Sequence, residues 1–254
     1  MTPAHSHMTA DSIPPAPGPS RGHHSAVAVA ELLLCSSLPT QLLIAGVLGA
    51  VGLPARAPDG QLALPFVLVL SLADSVLLIG LMVAIARVHG DSAWALWRGP
   101  GSLGRELTLG VALVPLVVLM VGVLLGSLQA LAPWLHNVPT NPLESLATGG
   151  PIQAAMFGVI AIVAGGVREE LQRAFLLQRF ERHLGGAAVG VVVLSAAFGL
   201  GHVMQGWDAA VATGALGAFW AVVYLKRRSA VAPMVSHAAF NSIEVFRVAM
   251  GGSS

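Results

Sequence analysis

The sequence Arg168-Glu169-Glu170-Leu171-Gln172-Arg173 places four charged side chains within six residues, at the end of the apolar run from Pro151 to Val167. Ionisable groups are costly inside a membrane and generally face a wet or protein-lined interior, where they mark function. Two histidines follow downstream: His202 ends the segment Phe198-Gly199-Leu200-Gly201-His202, and His237 begins the segment His237-Ala238-Ala239-Phe240-Asn241. We interpret these three segments as parts of one site within a bilayer.

The composition is that of a membrane protein. Hydrophobic residues make up 55% of the 254 residues and charged residues 10%, and the mean hydropathy is +0.77. These values lie well outside the range of soluble domains and predict an all-α, polytopic integral membrane protein in contact with lipid. A net charge of +1 argues against a nucleic-acid partner, because such binding needs concentrated basic surface. Residues 1–25 are rich in Pro, His and Ser and predict a disordered tail.

Apolar runs long enough to cross about 30 Å of hydrocarbon follow the tail. They lie at about 26–53, 62–88, 107–131, 151–180, 187–205, 208–225 and 229–249. We therefore predict about seven transmembrane helices. Residues 26–131 form the first three, and residues 151–250 form a second bundle that holds the charged segment and both histidines.

Basic residues alternate between the connections of these helices. They are Arg87, Arg98 and Arg105 after the second run, Arg179 and Arg182 after the fourth, and Lys226, Arg227 and Arg228 after the sixth. By the positive-inside rule this pattern predicts a cytoplasmic N-terminus and an exterior C-terminus. Trp220 and Tyr224 are assigned to the inner membrane interface on the same basis.

Spacing predicts that the polar residues meet. Glu169 and His202 each lie about 16 residues from the turn at Gly185-Gly186, so both sit roughly 24 Å from it at 1.5 Å per residue. Glu169 and Arg173, Phe198 and His202, and His237 and Asn241 are each four residues apart, so each pair projects from one side of its helix. Taken singly, a histidine of this kind or an ion pair of Arg173 with either glutamate is equally compatible with a structural role.

The ordered set of motifs resembles the CPBP intramembrane proteases, which include the CAAX prenyl endopeptidases and relatives linked to bacteriocin processing and immunity. That family has a Glu-Glu pair followed by Arg, then Phe-x-x-x-His, then His-x-x-x-Asn or -Asp, on successive transmembrane helices. Here the motifs are Glu169-Glu170 with Arg173, Phe198 to His202, and His237 to Asn241. The resemblance covers about 100 residues, from Pro151 onward, and identifies residues 151–250 as a catalytic bundle.

The expected activity is intramembrane endopeptidase: hydrolysis of a peptide bond within or near the bilayer. We assign water activation to Glu169 or, alternatively, Glu170, together with His202. The resemblance implies an oxyanion-binding role for His237 and Asn241, and Arg173 is expected to orient the acids by pairing. The family usually has three residues between the second Glu and the Arg, and a Gly after it. Here only Leu171 and Gln172 intervene and Ala174 follows, so the sequence leaves open which glutamate faces the site.

The cofactor and the substrate also stay open at this point. The family is commonly labelled a metalloprotease, and Glu169, His202 and His237 would make an adequate zinc set with one position left for water. A metal-free mechanism, with water activated by Glu and His alone, is the alternative. The substrate is expected to be a peptide or protein, with or without a lipid modification, and the sequence does not indicate an oligomeric state.

Two other functions compete with proteolysis. Acids within membrane helices, here Asp74 and Glu31, can be ion sites and would suit an ion-coupled transporter, although Asp74 is equally able to hydrogen-bond a neighbouring helix. A non-catalytic membrane scaffold or immunity protein would need the glycine-rich packing faces, such as Gly214 and Gly217, but not the site chemistry.

Overall fold

The computed structural model describes residues 21–251, with side chains from residue 24 onward. The predicted disordered tail lies outside the described residues as far as residue 20, and residues 21–25 already belong to the first helix. The helices are α1 (Arg21–Leu34), α2 (Leu38–Ala50), α3 (Leu64–Val88), α4 (Ala93–Arg98), α5 (Leu103–Leu131), α6 (Ser145–Thr148), α7 (Pro151–Ile160), a π-helix (Ala161–Arg168), α8 (Glu169–His183), α9 (Ala187–Leu200), α10 (Trp207–Arg227) and α11 (Val231–Ala249). Short 3-10 turns cover Pro133–Leu135 and Val203–Gln205.

The predicted all-α membrane fold is confirmed. Five helical segments in the described chain are long and apolar enough to cross a membrane: His24–Ala50, Leu64–Val88, Leu103–Leu131, Pro151–His183 and Trp207–Arg227. Helix α9 is apolar but has only 14 residues. Helix α11 has 19 residues but carries four strongly polar side chains, His237, Asn241, Glu244 and Arg247. With these two helices the order of segments agrees with the predicted count of about seven.

The first predicted span is interrupted. Helix α1 ends at Leu34 and α2 begins at Leu38, with Ser37 in the left-handed conformation at φ 69°. Pro39 stands in the first turn of α2, where its lack of an N–H is harmless, whereas the same ring inside a continuous helix would remove a hydrogen bond and clash with the preceding turn. The break allows the Cys35 carbonyl and the Ser37 hydroxyl, near the middle of the first span, to accept hydrogen bonds from the fourth span.

The fourth span contains a π-helix immediately before the paired glutamates. Asn241 of α11 donates its side-chain N–H to the carbonyl oxygen of Ala161 over 3.0 Å. Gly165 and Gly166 let α11 approach closely, since a Cβ at Gly166 would come within 2.5 Å of the Ala238 side chain. The wide turn and the two glycines therefore fix α11 against the segment that carries the charged residues.

The two ends of the bundle differ in character. The predicted basic connections gather at one end, which we call the charged end, through ion pairs of Arg182 with Asp91, Arg228 with Glu181 and Arg227 with Glu106, at 2.6, 2.7 and 2.6 Å. The hydrogen bond to Glu181 raises the pKa of Arg228 above its ordinary value, so this guanidinium stays charged. At the opposite end, His136 pairs with Asp208 over 2.7 Å and Asn141 donates to Gln205 over 3.3 Å. The grouping of basic connections agrees with the predicted alternation, and the orientation in the cell stays a prediction.

Trp220 and Tyr224 are more enclosed than the interface rule predicts. Both were assigned to the inner interface, but their side chains are almost completely buried inside the bundle. Trp220 packs with Val117 of α5 and Leu216 of α10 in an apolar cluster. Tryptophan favours the membrane interface because its indole N–H needs a polar partner there. In Trp220 the indole N–H instead donates to the Ser236 hydroxyl inside the bundle, over 3.0 Å.

Candidate active site

Glu170, Arg173 and His237 form the buried centre of the site. Glu170 is 2% exposed, and its Oε1 accepts hydrogen bonds from the Arg173 guanidinium and from Nδ1 of His237, the latter over 2.8 Å. Arg173 lies one turn after Glu170 on α8, and His237 comes from α11. A buried carboxylate with two charge-compatible donors is satisfied and held in place. The shortened spacing of the motif therefore still pairs the arginine with the second glutamate.

Glu169 faces the other nitrogen of the same histidine. Its Oε2 lies 4.0 Å from Nε2 of His237, and its side chain is 19% exposed. Nη2 of Arg168 approaches its Oε1 at 3.5 Å. His237 thus stands between two consecutive carboxylates, one at each ring nitrogen. Glu169 is the more accessible and the less strongly bonded of the two acids.

Aromatic rings enclose His237 and Arg173. The Trp220 ring stacks on the His237 imidazole with a centroid distance of 3.9 Å and an angle of 15° between the planes. The Arg173 guanidinium carbon lies 4.7 Å from the centroid of the Phe198 ring. These contacts immobilise the imidazole and provide cation–π stabilisation for the buried arginine. Sequence reasoning missed Trp220, because a lone tryptophan on an apolar helix carries no motif that separates it from an interfacial one.

His202 lies just beyond the end of α9, in the turn that precedes the Val203–Gln205 turn. Its Nδ1 is 2.7 Å from the carbonyl oxygen of Phe198. Because a carbonyl only accepts, Nδ1 carries the proton, and Nε2 of the neutral ring is left as a hydrogen-bond acceptor. The ring meets the edge of Phe198 at 4.8 Å, so the predicted adjacency of Phe198 and His202 holds although His202 is not within the helix.

The Phe198 ring separates the two histidines. It contacts His202 on one side and lies 6.2 Å from the His237 ring on the other, edge to face. Within residues 24–251, no direct hydrogen bond joins His202 to Glu169, Glu170 or His237. The structure thus brings Glu169, Glu170, Arg173 and His237 into contact and sets His202 one aromatic ring away.

Asn241 lies one helical turn after His237 on α11. One of its two amide hydrogens is used by the Ala161 carbonyl of the π-helix, and the amide nitrogen stands directly over Gly165. The second N–H and the side-chain oxygen are not engaged by this bond. Asn241 therefore shares with His237 a position on the side of α11 that packs against the π-helix.

The residues proposed as zinc ligands do not gather into a metal site in this arrangement. Across the described side chains there is no group of three or more His, Cys, Asp or Glu placed to hold a metal ion. Nδ1 of His237 is occupied by Glu170, and Nδ1 of His202 is occupied by the Phe198 carbonyl oxygen. The described side chains therefore offer no preformed set of three ligands, zinc dependence stays a prediction, and the mechanism below is derived without a metal.

Fold and site together define a polytopic membrane protein whose helix bundle encloses a cluster of carboxylate and imidazole groups. Residues 151–243 match the family model described as type II CAAX prenyl endopeptidase Rce1-like. This match confirms the resemblance to the CPBP proteases for the segment that carries every motif, and it indicates a membrane protease acting on a peptide or protein. It includes none of the first 150 residues. No curated protein and no solved structure matches the chain.

Proposed function

We propose that the protein is an intramembrane endopeptidase in which Glu169 and His202 activate water, while His237 and Asn241 bind the oxyanion. The observation that carries this proposal is the position of His237, held at Nδ1 by buried Glu170 and facing Glu169 at Nε2. Glu170 and Arg173 hold one another and so serve as the support of the site. Glu169, partly exposed and free of a short hydrogen bond, is the carboxylate available for chemistry.

Attack on the scissile carbonyl begins with a water molecule. As its oxygen bonds to the carbonyl carbon, one of its protons passes to the Glu169 carboxylate. Nε2 of His202 is the acceptor in the tautomer that donates Nδ1–H to the Phe198 carbonyl, and it accepts a hydrogen bond from the same water and orients it. Closure of the remaining gap around Phe198 on substrate binding would bring the two bases to one water, since catalytic hydrogen bonds are often long in unliganded sites.

Negative charge then develops on the carbonyl oxygen. A protonated His237 can donate Nε2–H to it, because Glu170 at Nδ1 stabilises positive charge on the ring. The unused N–H of Asn241 is the second donor. Collapse of the tetrahedral intermediate breaks the C–N bond, and Glu169 returns its proton to the leaving amine.

For the substrate we propose a peptide that enters from the lipid phase or its surface. The description of the matched family makes a prenylated C-terminal Cys-a-a-X peptide the first probe. An unprenylated peptide of the same sequence is the paired probe. Cleavage of both with equal efficiency would remove prenyl recognition and leave the protease activity in place.

The test uses the full chain reconstituted in lipid vesicles, with cleavage of the two peptides followed by mass spectrometry. Glu169→Gln, His202→Ala and His237→Ala are expected to lower kcat by at least about hundredfold, the scale of a lost general base or oxyanion donor. Glu244→Gln is the matched control. Glu244 is partly exposed and pairs with Arg247 near the C-terminal end of α11. If the three single variants are folded and each still supports the phenotype of the parent protein in cells, a scaffold or transporter function is favoured instead.

Zinc dependence has its own measurement. The proposal expects full peptide cleavage by protein from which metals have been stripped and verified as absent by elemental analysis. Loss of activity on stripping, with recovery on addition of zinc alone, would overturn the metal-free route.

A further inference from the structure

Asp74 is a fully buried acid in the middle of α3, outside the family match. Its carboxylate accepts a hydrogen bond from the Thr40 hydroxyl and lies 3.4 Å from the Gln41 side-chain nitrogen, both on α2. These bonds orient the carboxylate but contribute no positive charge. A buried carboxylate at this depth calls for a cation.

That cation is Arg168, the last residue of the π-helix. Its Nε lies 3.9 Å from Oδ2 of Asp74, and its Nη2 lies 3.5 Å from Oε1 of Glu169. Arg168 is itself buried. One guanidinium therefore stands between an acid of the N-terminal helices and the acid assigned to water activation.

The broken first span completes the cradle of Arg168. Nη1 of Arg168 donates to the Ser37 hydroxyl over 2.7 Å and to the Gln172 side-chain oxygen over 3.1 Å. The Gln172 amide in turn donates to the Cys35 carbonyl over 2.7 Å. The interruption between α1 and α2 thus supplies the polar groups that fix the guanidinium from the side opposite Glu169.

We propose that Asp74 is a positioning residue for the proposed protease reaction: through Arg168 it holds the Glu169 carboxylate beside His237 and shares the positive charge of the guanidinium with it. This inference rests on the proposed function. It gives the first three helices a chemical role in the site, since they supply Asp74, Thr40 and Ser37.

The charge balance determines what removal of Asp74 does. The groups that face Glu169 are Arg168 and His237, and the charged group that faces Asp74 is Arg168. Without Asp74, the buried guanidinium loses one of the two carboxylates that hold it among the described residues. Arg168 then shifts, and the Glu169 carboxylate moves with it from its position beside His237. The chemical step slows while substrate binding is unaffected.

The first experiment measures kcat and KM for the prenylated peptide as a function of pH. For Asp74→Asn, kcat near neutral pH is expected to fall by about tenfold or more, equivalent to about 1.4 kcal/mol of barrier, with KM within twofold of the parent value. Asp74→Glu, which keeps the charge, should recover most of the activity, and Ser37→Ala, which only loosens Arg168, should show a smaller fall in the same direction.

The matched control is Glu106→Gln. Glu106 is also fully buried and paired with an arginine, Arg227, but at the charged end of the bundle. Glu106→Gln is expected to lower thermal stability but to leave kcat and KM, and their dependence on pH, as they are in the parent protein. If Asp74→Asn behaves like Glu106→Gln, or keeps the parent kcat, the inference is wrong.

A second readout does not depend on turnover. Thermal unfolding of the full chain in detergent is compared for Asp74→Asn, Glu169→Gln and the double variant. Because both acids pair with Arg168, their effects on stability should not add, whereas those of Glu106→Gln and Glu169→Gln should add. Failure of the parent protein to cleave either peptide would count against the proposed function alone, whereas additive effects of Asp74→Asn and Glu169→Gln would overturn the coupling through Arg168.

Discussion

Neighbouring glutamates in one motif have different environments. Glu170 is enclosed and bonded to Arg173 and His237, whereas Glu169 is partly exposed and has only longer contacts with Arg168 and His237. Consecutive residues on a helix point about 100° apart, so one of them is directed into the bundle and the other along its inner surface. The sequence predicted that these residues meet a histidine but left their division of labour open, because the motif spacing departs from the family by one residue.

Substitution of the two glutamates should separate support from chemistry. Glu170→Gln leaves the Arg173 guanidinium buried without its counter-charge, so the protein should lose about 3 kcal/mol of stability along with its activity. Glu169→Gln should lose activity by about hundredfold or more with little change in stability, since a general base is removed and Arg168 retains Asp74. Thermal unfolding in detergent and peptide cleavage measure the two effects. A stable, inactive Glu170→Gln beside an active Glu169→Gln would exchange the roles assigned to them.

The indole of Trp220 provides a second prediction at this scale. Trp220→Phe keeps an aromatic ring over His237 but removes the N–H that bonds Ser236, and it should cost about 1 kcal/mol of stability with most activity retained. Trp220→Leu removes the stacked ring as well and should lower kcat about tenfold by loosening His237. Both variants are compared by unfolding and by kcat. Equal kcat for the two would show that the stack does not position the imidazole.

At the scale of the helices, the decisive element is the π-helix before Glu169. Apolar runs and glycine turns predicted α3, α5, α7 to α8, α10 and α11 to within a few residues. The π-turn could not be predicted, because Ala161–Arg168 is a run of small and apolar residues without a signature for a wider turn. The break at Ser37 could not be predicted either, because the residues on both sides of this short polar interruption are apolar and were assigned to one continuous span. The π-helix leads directly into Glu169, and Ser37 accepts a hydrogen bond from Arg168. The two backbone features that the sequence did not predict therefore both adjoin the candidate active site.

Two glycines offer a direct test of this packing. A methyl group at Gly166 would collide with the Ala238 backbone and side chain of α11, whereas at Gly158 the nearest atom, on Val245, is 4.0 Å away. Gly166→Ala should push α11 away from the π-helix and displace His237 and Asn241. The variant should be less stable than the parent, and its kcat should be lower by at least about tenfold. Gly158→Ala is the control and should be neutral or stabilise by up to about 1 kcal/mol through helix propensity. An active Gly166→Ala of parent stability would mean that close approach of α11 is not required.

For the whole molecule, the positions of charge describe how the bundle sits in a membrane. Alternate connections carry the basic residues, and they meet at the charged end through ion pairs such as Arg182 with Asp91. Charges clustered at one end stay hydrated, while apolar helix surface between the ends is available to lipid. This arrangement follows from the sequence almost unaided, because it depends on counting residues between apolar runs and not on side-chain geometry. By the positive-inside rule we predict that the charged end faces the cytoplasm.

Single-cysteine labelling tests that orientation with little disturbance. The one native cysteine, Cys35, is fully buried, so the parent protein should not react with a membrane-impermeant maleimide. Thr140→Cys adds a thiol to the exposed loop opposite the charged end, and Pro100→Cys adds one to the exposed turn beside Gly99 at the charged end. In intact cells Thr140→Cys should be labelled at once, and Pro100→Cys only after the membrane is permeabilised. The reverse pattern would place the charged end outside the cell and would overturn the predicted orientation.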